Sequence, residues 1–184
     1  MNTSRYFELL INAHEVAATR DNVSTHILLE AYHANGGDMI KSITAAMMTL
    51  GGLHGPIKQV YRILTRMRQG FDVQLAIEHM GSCKIPGFGS SFYKGTPDPS
   101  LHELAREILG TEYASMCVTI SEYLAMQGKV LYPNISFYTG VAAMIEGVNP
   151  RLCEKYLILS RLGAWIRLLE KTYGSQGTDK NIRA

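Results

Sequence analysis

Long apolar runs, clustered charge and a cysteine framework are all missing from this 184-residue sequence. No stretch approaches the ~20 uncharged apolar residues that a membrane-spanning helix needs, so no membrane partner is expected. The first ten residues carry Arg5 and Glu8 and no apolar run, which does not fit a secretory signal. Only three cysteines occur, Cys83, Cys117 and Cys153, at wide spacings and with no CxxC pair. That pattern offers neither a disulfide framework nor a metal site, and fits reduced thiols of a cytoplasmic protein. Lys and Arg outnumber Asp and Glu by 18 to 16 and are scattered rather than gathered into a stripe, so no nucleic-acid partner is expected. Strand-like alternation is nearly absent, and neither a repeat nor a linker divides the chain.

What remains is a globular composition, 46% apolar and 18% charged, that suits a single all-α unit over 1–184. Asp38 is placed to cap a helix over 39–50, with Met39, Ile40, Ile43, Ala46, Met47 and Leu50 spaced for one broad face, before Gly51 and Gly52 stop it. Pro56 fits the first turn of a helix running to about Gln69. Further helices are expected over 99–109, 113–126 and from Ile135 onward. The longest is predicted to open at Pro150 and reach Tyr173, with Leu152, Tyr156, Leu159, Leu162, Ile166 and Leu169 on one face. The polar, Gly-containing tail over 174–184 is expected to extend away from the body.

Two segments interrupt the helical pattern. One is KIPGFGSSFYKGTPDPS, 84–100; the other is GKVLYPN, 128–134. Loops this rich in Gly and Pro, held between long helices, serve either as connectors or as the places where a helical scaffold holds a ligand.

Five segments, taken in order, resemble the citrate synthase family. NAHEVAATRDNVSTH, 12–26, is similar to the family's HE…NVSAH segment with a few residues inserted, and LGGLHGP, 50–56, to L-x-G-P-L-H-G-G-A-N. IPGFGSSFYKGTPDPS, 85–100, resembles PGFGHRVYK…DPR, and GKVLYPNISFYTG, 128–140, resembles K-x-YPNVDFYSG. LSRLGAWIRLLEK, 159–171, looks like the helix that carries a substrate-binding arginine. LHG and GFG are weak strings alone; five segments in sequence are a strong match. They cover essentially the whole chain, but only the second half of an ordinary family member.

The resemblance implies a citrate-synthase-like helical fold and a chemistry that joins an acyl-CoA methyl group to a keto acid. That reaction needs a base to remove a proton from the methyl carbon and a donor to support the enolate oxygen. It also needs a second donor to polarise the keto carbonyl, and cations to hold the acid's carboxylates. By the resemblance, His54, Ser136 and Ser90 occupy the catalytic positions, with His54 matching the enolate-supporting histidine. His14, Asn22, Arg161 and Arg183 stand where the family contacts the small acid; an arginine on an apolar helix face requires an anion, which agrees with that role. Pro86, Gly87, Phe88, Gly89, Lys94, Lys129 and Asn134 fall on the loops that approach CoA. Lys94 and Lys129 fit solvated surface lysines equally well.

The departures from the family pattern carry as much information. Ser136 stands in place of the aspartate base, and a serine hydroxyl does not take an unactivated α-proton near neutral pH. Ser90 replaces the carbonyl-polarising histidine, Ser91 follows where an arginine is common, Ser100 replaces the arginine of DPR, and Lys58 the asparagine of HGGAN. Losing a general base typically costs on the order of 10²–10⁴ in rate. Neither Ser90 nor Ser136 lies in a G-x-S-x-G setting that would make it a nucleophile. Two functions follow as expectations. One is a diverged acyl-CoA enzyme that does not make citrate, needs no cofactor, and takes an acyl-CoA with a small acid. The other is a non-catalytic subunit that pairs with another citrate-synthase-like chain. In either case the apolar faces predict a homodimer, or a second chain that supplies the missing half.

Overall fold

The computed structural model describes residues 5–18, 23–49, 56–78, 85–90 and 92–174. Its helices are α1 (Arg5–Ala18), α2 (Val23–Ala34), α3 (Met39–Met47), α4 (Ile57–Arg68), α5 (Val73–Glu78), α6 (His102–Glu107), α7 (Glu112–Met126), α8 (Ile135–Ile145) and α9 (Cys153–Tyr173). A 3-10 turn at Pro99–Leu101 leads into α6. The described residues contain no strand, only an isolated antiparallel bridge between Phe88 and Pro133, so the all-α expectation holds.

Local chemistry sets the helix ends. Asp38 caps α3 as predicted, its Oδ1 accepting the Lys41 N–H at 3.0 Å. That helix ends at Met47 rather than at 50. The Thr49 N–H and hydroxyl both turn back to the Ala46 carbonyl, at 3.1 and 2.7 Å, and close the last turn early. The longest helix begins at Cys153 and not at Pro150. Asn149 holds a turn around the proline, its Oδ1 accepting the Arg151 N–H at 2.9 Å and its carbonyl the Leu152 N–H at 2.7 Å. The expected helix over 99–109 is shorter, since its first turn is 3-10 and α6 stops at Glu107.

α8 is the centre of the molecule. Every residue from Ser136 to Ala143 is buried, and the helix packs against α1, α4 and α9. Gly140 permits this closeness: a Cβ there would sit 2.6 Å from Val60 Cγ1 of α4. Phe137 is fully buried in the main core with Leu10, Val60, Leu64, Ile120 and Val141. Burial of such a side chain stabilises the fold by about 3 kcal/mol. A second cluster joins Leu28 of α2 and Ile43 and Ala46 of α3 to Trp165, Leu168 and Leu169 of α9.

The broad apolar faces expected on α3 and α9 are only partly buried. On α3, Ser42, Ile43 and Ala46 face inward, whereas Ile40 is 79% exposed and Met48, just past the helix end, 84%. On α9, Leu152 and Leu159 are exposed, and the buried stripe runs through Cys153, Leu157, Ser160, Ala164 and Leu168. The rest of the predicted face is inward: Leu169 is buried, Tyr156, Leu162 and Ile166 pack half-buried against the core, and α1 approaches the helix at Gly163. A Cβ on Gly163 would lie 3.1 Å from Ile11 Cδ1.

Candidate functional site

Both loops singled out in the sequence meet. The Gly89 N–H donates to the Tyr132 carbonyl at 2.8 Å, and the Asn134 N–H donates to the Gly87 carbonyl at 2.8 Å. Asn134 Nδ2 adds a bond to the Gly89 carbonyl at 2.8 Å. Gly87 has φ +84°, and a Cβ there would meet Val60 Cγ2 at 2.8 Å and Phe137 Cβ at 3.1 Å. Only glycine combines that backbone with that approach. Phe88 is buried edge-on against Phe137, with ring centroids 5.3 Å apart. The Pro-Gly-Phe-Gly segment is therefore anchored to the core at its centre and to the 128–134 loop along its length.

The serines fall into that frame as follows. Asn134 N-caps α8, its Oδ1 accepting the Ser136 N–H at 2.9 Å, which puts Ser136 in the helix's first turn with 6% exposure. The Ser90 hydroxyl oxygen accepts the N–H groups of Phe92 and Tyr93 at 3.1 and 3.2 Å, closing the turn after the loop. Ser100 donates from both its N–H and its hydroxyl to Asp98 Oδ1, at 2.9 and 2.7 Å. The hydroxyls of Ser90 and Ser100 thus stabilise their own turns. Lys58 pairs with Glu154 at 2.5 Å.

α1 packs along α9 and brings His14 to Arg161. His14 is only 3% exposed, and its Nε2 has no hydrogen-bond partner among the described residues. Burial, together with the charge of Arg161, holds its pKa well below the ordinary histidine value. Arg161 is half-buried, and burial lowers its pKa as well. No carboxylate among the described residues pairs with it. Its neighbour Arg167 shows the contrast: that guanidinium bonds Glu8 at 2.6 Å and Asn12 at 2.9 Å, with Glu15 at 3.8 Å. A desolvated cation beside a desolvated neutral imidazole has the chemistry to receive an anion that accepts hydrogen bonds.

Of the residues expected at the site, His14 and Arg161 come together, and Pro86, Gly87, Phe88, Gly89 and Asn134 form one braced unit with Ser136. Lys94 and Lys129 are exposed on the two paired loops. Asn22, His54 and Arg183 lie outside the described residues. Exposed Phe92, Val130 and Tyr132 flank the lysines on the same loops and were not singled out in the sequence; an aromatic residue next to a loop lysine was the available signal. Among the described residues no group of three His, Cys, Asp or Glu side chains is placed to hold a metal, and no helix is long and apolar enough to cross a membrane.

A family model for the C-terminal domain of citrate synthase matches residues 16–182. The fold is similar to that of citrate synthase from Thermotoga maritima MSB8, with 23% identity, a TM-score of 0.64, and coverage of 97% of this chain and 49% of that one. ATP citrate lyase from Methanothrix soehngenii, solved in complex with citrate and coenzyme A, shares 20% identity at a TM-score of 0.71, covering 92% of this chain and 31% of its own. Citryl-CoA lyase from Hydrogenobacter thermophilus shares 18% at a TM-score of 0.67, covering 97% and 72%. The chain therefore spans about half the length of that citrate synthase. No curated protein sequence matches it.

Proposed function

The chain belongs to the citrate synthase family, and from that premise we propose that it binds an acyl-CoA together with a small carboxylic acid, as a diverged member of the carbon–carbon bond-forming acyl-transfer class that does not make citrate. The buried His14 imidazole beside an Arg161 without a carboxylate is the observation that supports this best. The acid sits at that pair, and the CoA thioester approaches the braced 85–90 and 128–134 loops, where Lys94 and Lys129 face its phosphates. The ATP citrate lyase to which the fold is similar was solved with citrate and coenzyme A, ligands of these two kinds.

The chemistry is constrained by Ser136. Without a carboxylate base at the head of α8, a thioester that forms its carbanion by losing carbon dioxide suits the site better than one that must lose a proton. His54 then supports the enolate. This proposed chemistry calls on no metal or further cofactor, and the cysteine usage fits a cytoplasmic chain. Calorimetry with acetyl-CoA and malonyl-CoA, with and without a small acid, is the test: saturable binding of a thioester is expected. No heat with either at ~1 mM protein, where weak binding still registers, overturns the proposal.

A non-catalytic subunit is the second function supported by a specific observation. The Ser90 and Ser100 hydroxyls are engaged in their own turns, and Ile40, Met48 and Leu159 remain exposed. On this function a symmetric copy, or another citrate-synthase-like chain, covers such residues.

A further inference from the structure

Two backbones close on the two methyl groups of Val60. This residue lies one turn into α4 and is only 2% exposed. A Cβ built at Gly87 would lie 2.8 Å from its Cγ2, and a Cβ built at Gly140 would lie 2.6 Å from its Cγ1. Among the described residues Val60 is the nearest neighbour of each glycine beyond its own stretch of chain. Gly87 belongs to the Pro-Gly-Phe-Gly loop and Gly140 to α8, so one side chain spaces three segments that are far apart in sequence. Phe137 of α8 closes the other side of the loop, its Cβ 3.1 Å from the Cβ built at Gly87. Valine suits this place, because branching at Cβ leaves it essentially one χ1 rotamer in a helix and fixes both methyls relative to α4. Each facing glycine brings backbone, not a flexible side chain, against them. Van der Waals contact therefore sets how far the loop and α8 stand from α4.

The candidate site hangs on that spacing. The Gly87 carbonyl accepts the Asn134 N–H, and the Asn134 side chain holds Gly89 and caps α8 beside Ser136. The Val60 N–H itself donates at 3.1 Å to the carbonyl of Pro56, the last residue of LGGLHGP. We propose that Val60 is a positioning residue, whose two methyls set the separation of the 85–90 loop from the head of α8 and hold the thioester site in its binding geometry before a ligand arrives. The proposal rests on the acyl-CoA binding given above and adds to it the residue that prearranges the loop. Buried as it is, Val60 acts through Gly87 and Gly140. Trimming it removes no hydrogen bond to a ligand. It releases the loop, and a ligand that must then order the loop binds more weakly.

Val60→Ala and Val60→Thr separate positioning from packing in the full chain. Both lose buried apolar surface and are expected to unfold at lower urea concentration than wild type. Threonine keeps the branched shape, and its hydroxyl has the Pro56 carbonyl to bond, as Thr139 bonds Ile135 at 2.7 Å. Alanine keeps neither methyl. Where all three proteins are folded, hydrogen exchange at the Gly89 and Asn134 amides is expected to rise about tenfold in Val60→Ala and to stay near wild type in Val60→Thr. Calorimetry with acetyl-CoA and malonyl-CoA is expected to follow the same order, with affinity about tenfold weaker for Val60→Ala and within about twofold of wild type for Val60→Thr. Loop amides unmoved in Val60→Ala, or an affinity loss that tracks the unfolding midpoint and not the shape, overturns the positioning role. Equal thioester affinity in all three proteins overturns it too, while leaving acyl-CoA binding intact. No binding of either thioester to the wild type at ~1 mM protein overturns both. The wild type also supplies a reading that stands should Val60→Ala not fold: its Val60, Gly89 and Asn134 amides are expected to exchange through one shared opening with a common urea dependence. A separate, cheaper opening of the two loop amides overturns the proposal.

Discussion

Asn134 ties Gly89 to the head of α8: its Nδ2 donates to the Gly89 carbonyl at 2.8 Å while its Oδ1 accepts the Ser136 N–H at 2.9 Å. One amide thus holds the Pro-Gly-Phe-Gly loop and starts the buried helix, donating from one atom and accepting at another, which an ionised carboxylate cannot do. Asn134→Ala is expected to lose about 2 kcal/mol, about half from the cap and half from the loop bond. Asn134→Asp keeps the cap acceptor and is expected to lose about half as much. Urea unfolding distinguishes the two, and wild-type stability in both variants would show that the tie carries no load.

Citrate formation is expected to be absent. By the resemblance, Ser136, Ser90 and Ser100 replace base, electrophile and carboxylate clamp, so on the proposed function the purified chain should release no thiol from acetyl-CoA with oxaloacetate. Robust turnover that disappears in His54→Ala would mean that the replacements do not disable the reaction.

CoA binding is expected to depend on the exposed lysines. Lys94→Ala should weaken a saturable calorimetric isotherm for a CoA thioester by about two- to fivefold, the size of a solvent-screened phosphate contact. The loss should shrink as salt is raised. An affinity equal to wild type at low salt removes Lys94 from the site.

Acid should destabilise the free protein through His14. Its folded pKa lies well below the value of about 6.5 that it regains on unfolding. As pH falls through about 6.5 the unfolded chain takes a proton that the folded chain refuses, so this stability is complete above that point and declines below it. Urea midpoints between about pH 7.5 and about pH 5.5 should therefore decrease, and less steeply in His14→Gln. Identical slopes for the two proteins would assign the acid sensitivity to other groups.

Assembly is expected to be obligate. Ile40, Met48 and Leu159 are exposed on the helices that share the second core cluster. If these residues join into one contiguous apolar patch, a symmetric copy or a partner chain is expected to cover it. Sedimentation at micromolar concentration should show a dimer or larger species; a stable, soluble monomer contradicts this.

The sequence was most legible where one residue does one local job. Asp38 as a cap, Pro56 at the start of α4 and its end near Gln69, and the loops around 84–100 and 128–134 all follow from turn and cap chemistry. It was least legible where packing decides. α1 carries helical spacing at Tyr6, Leu9, Leu10 and Ala13, yet its polar residues Glu8, Asn12 and Glu15 have meaning only beside Arg167, more than 150 positions away. The close approach of α1 to α9 depends on Gly163 meeting Ile11, and apolar spacing alone does not reveal which small residue a neighbour will choose. His14 and Arg161 were each marked by resemblance; their adjacency needed the fold.

The contact of Gly140 with Val60 limits how this protein can be altered. Four residues of rigid helix, about 6 Å, separate Gly140 from Ser136. A methyl group added at Gly140 displaces the same rod that carries the hydroxyl. An attempt to retrofit a carboxylate at Ser136 therefore has no slack to draw on, because the helix cannot slide to bring a compensating cation nearer. The loops that hold Lys94 and Lys129 have no such constraint on their outward side chains. Engineering that starts from those loops can change what the protein grips without disturbing its spine, whereas any change that shifts α8 runs into Val60 of α4 at Gly140.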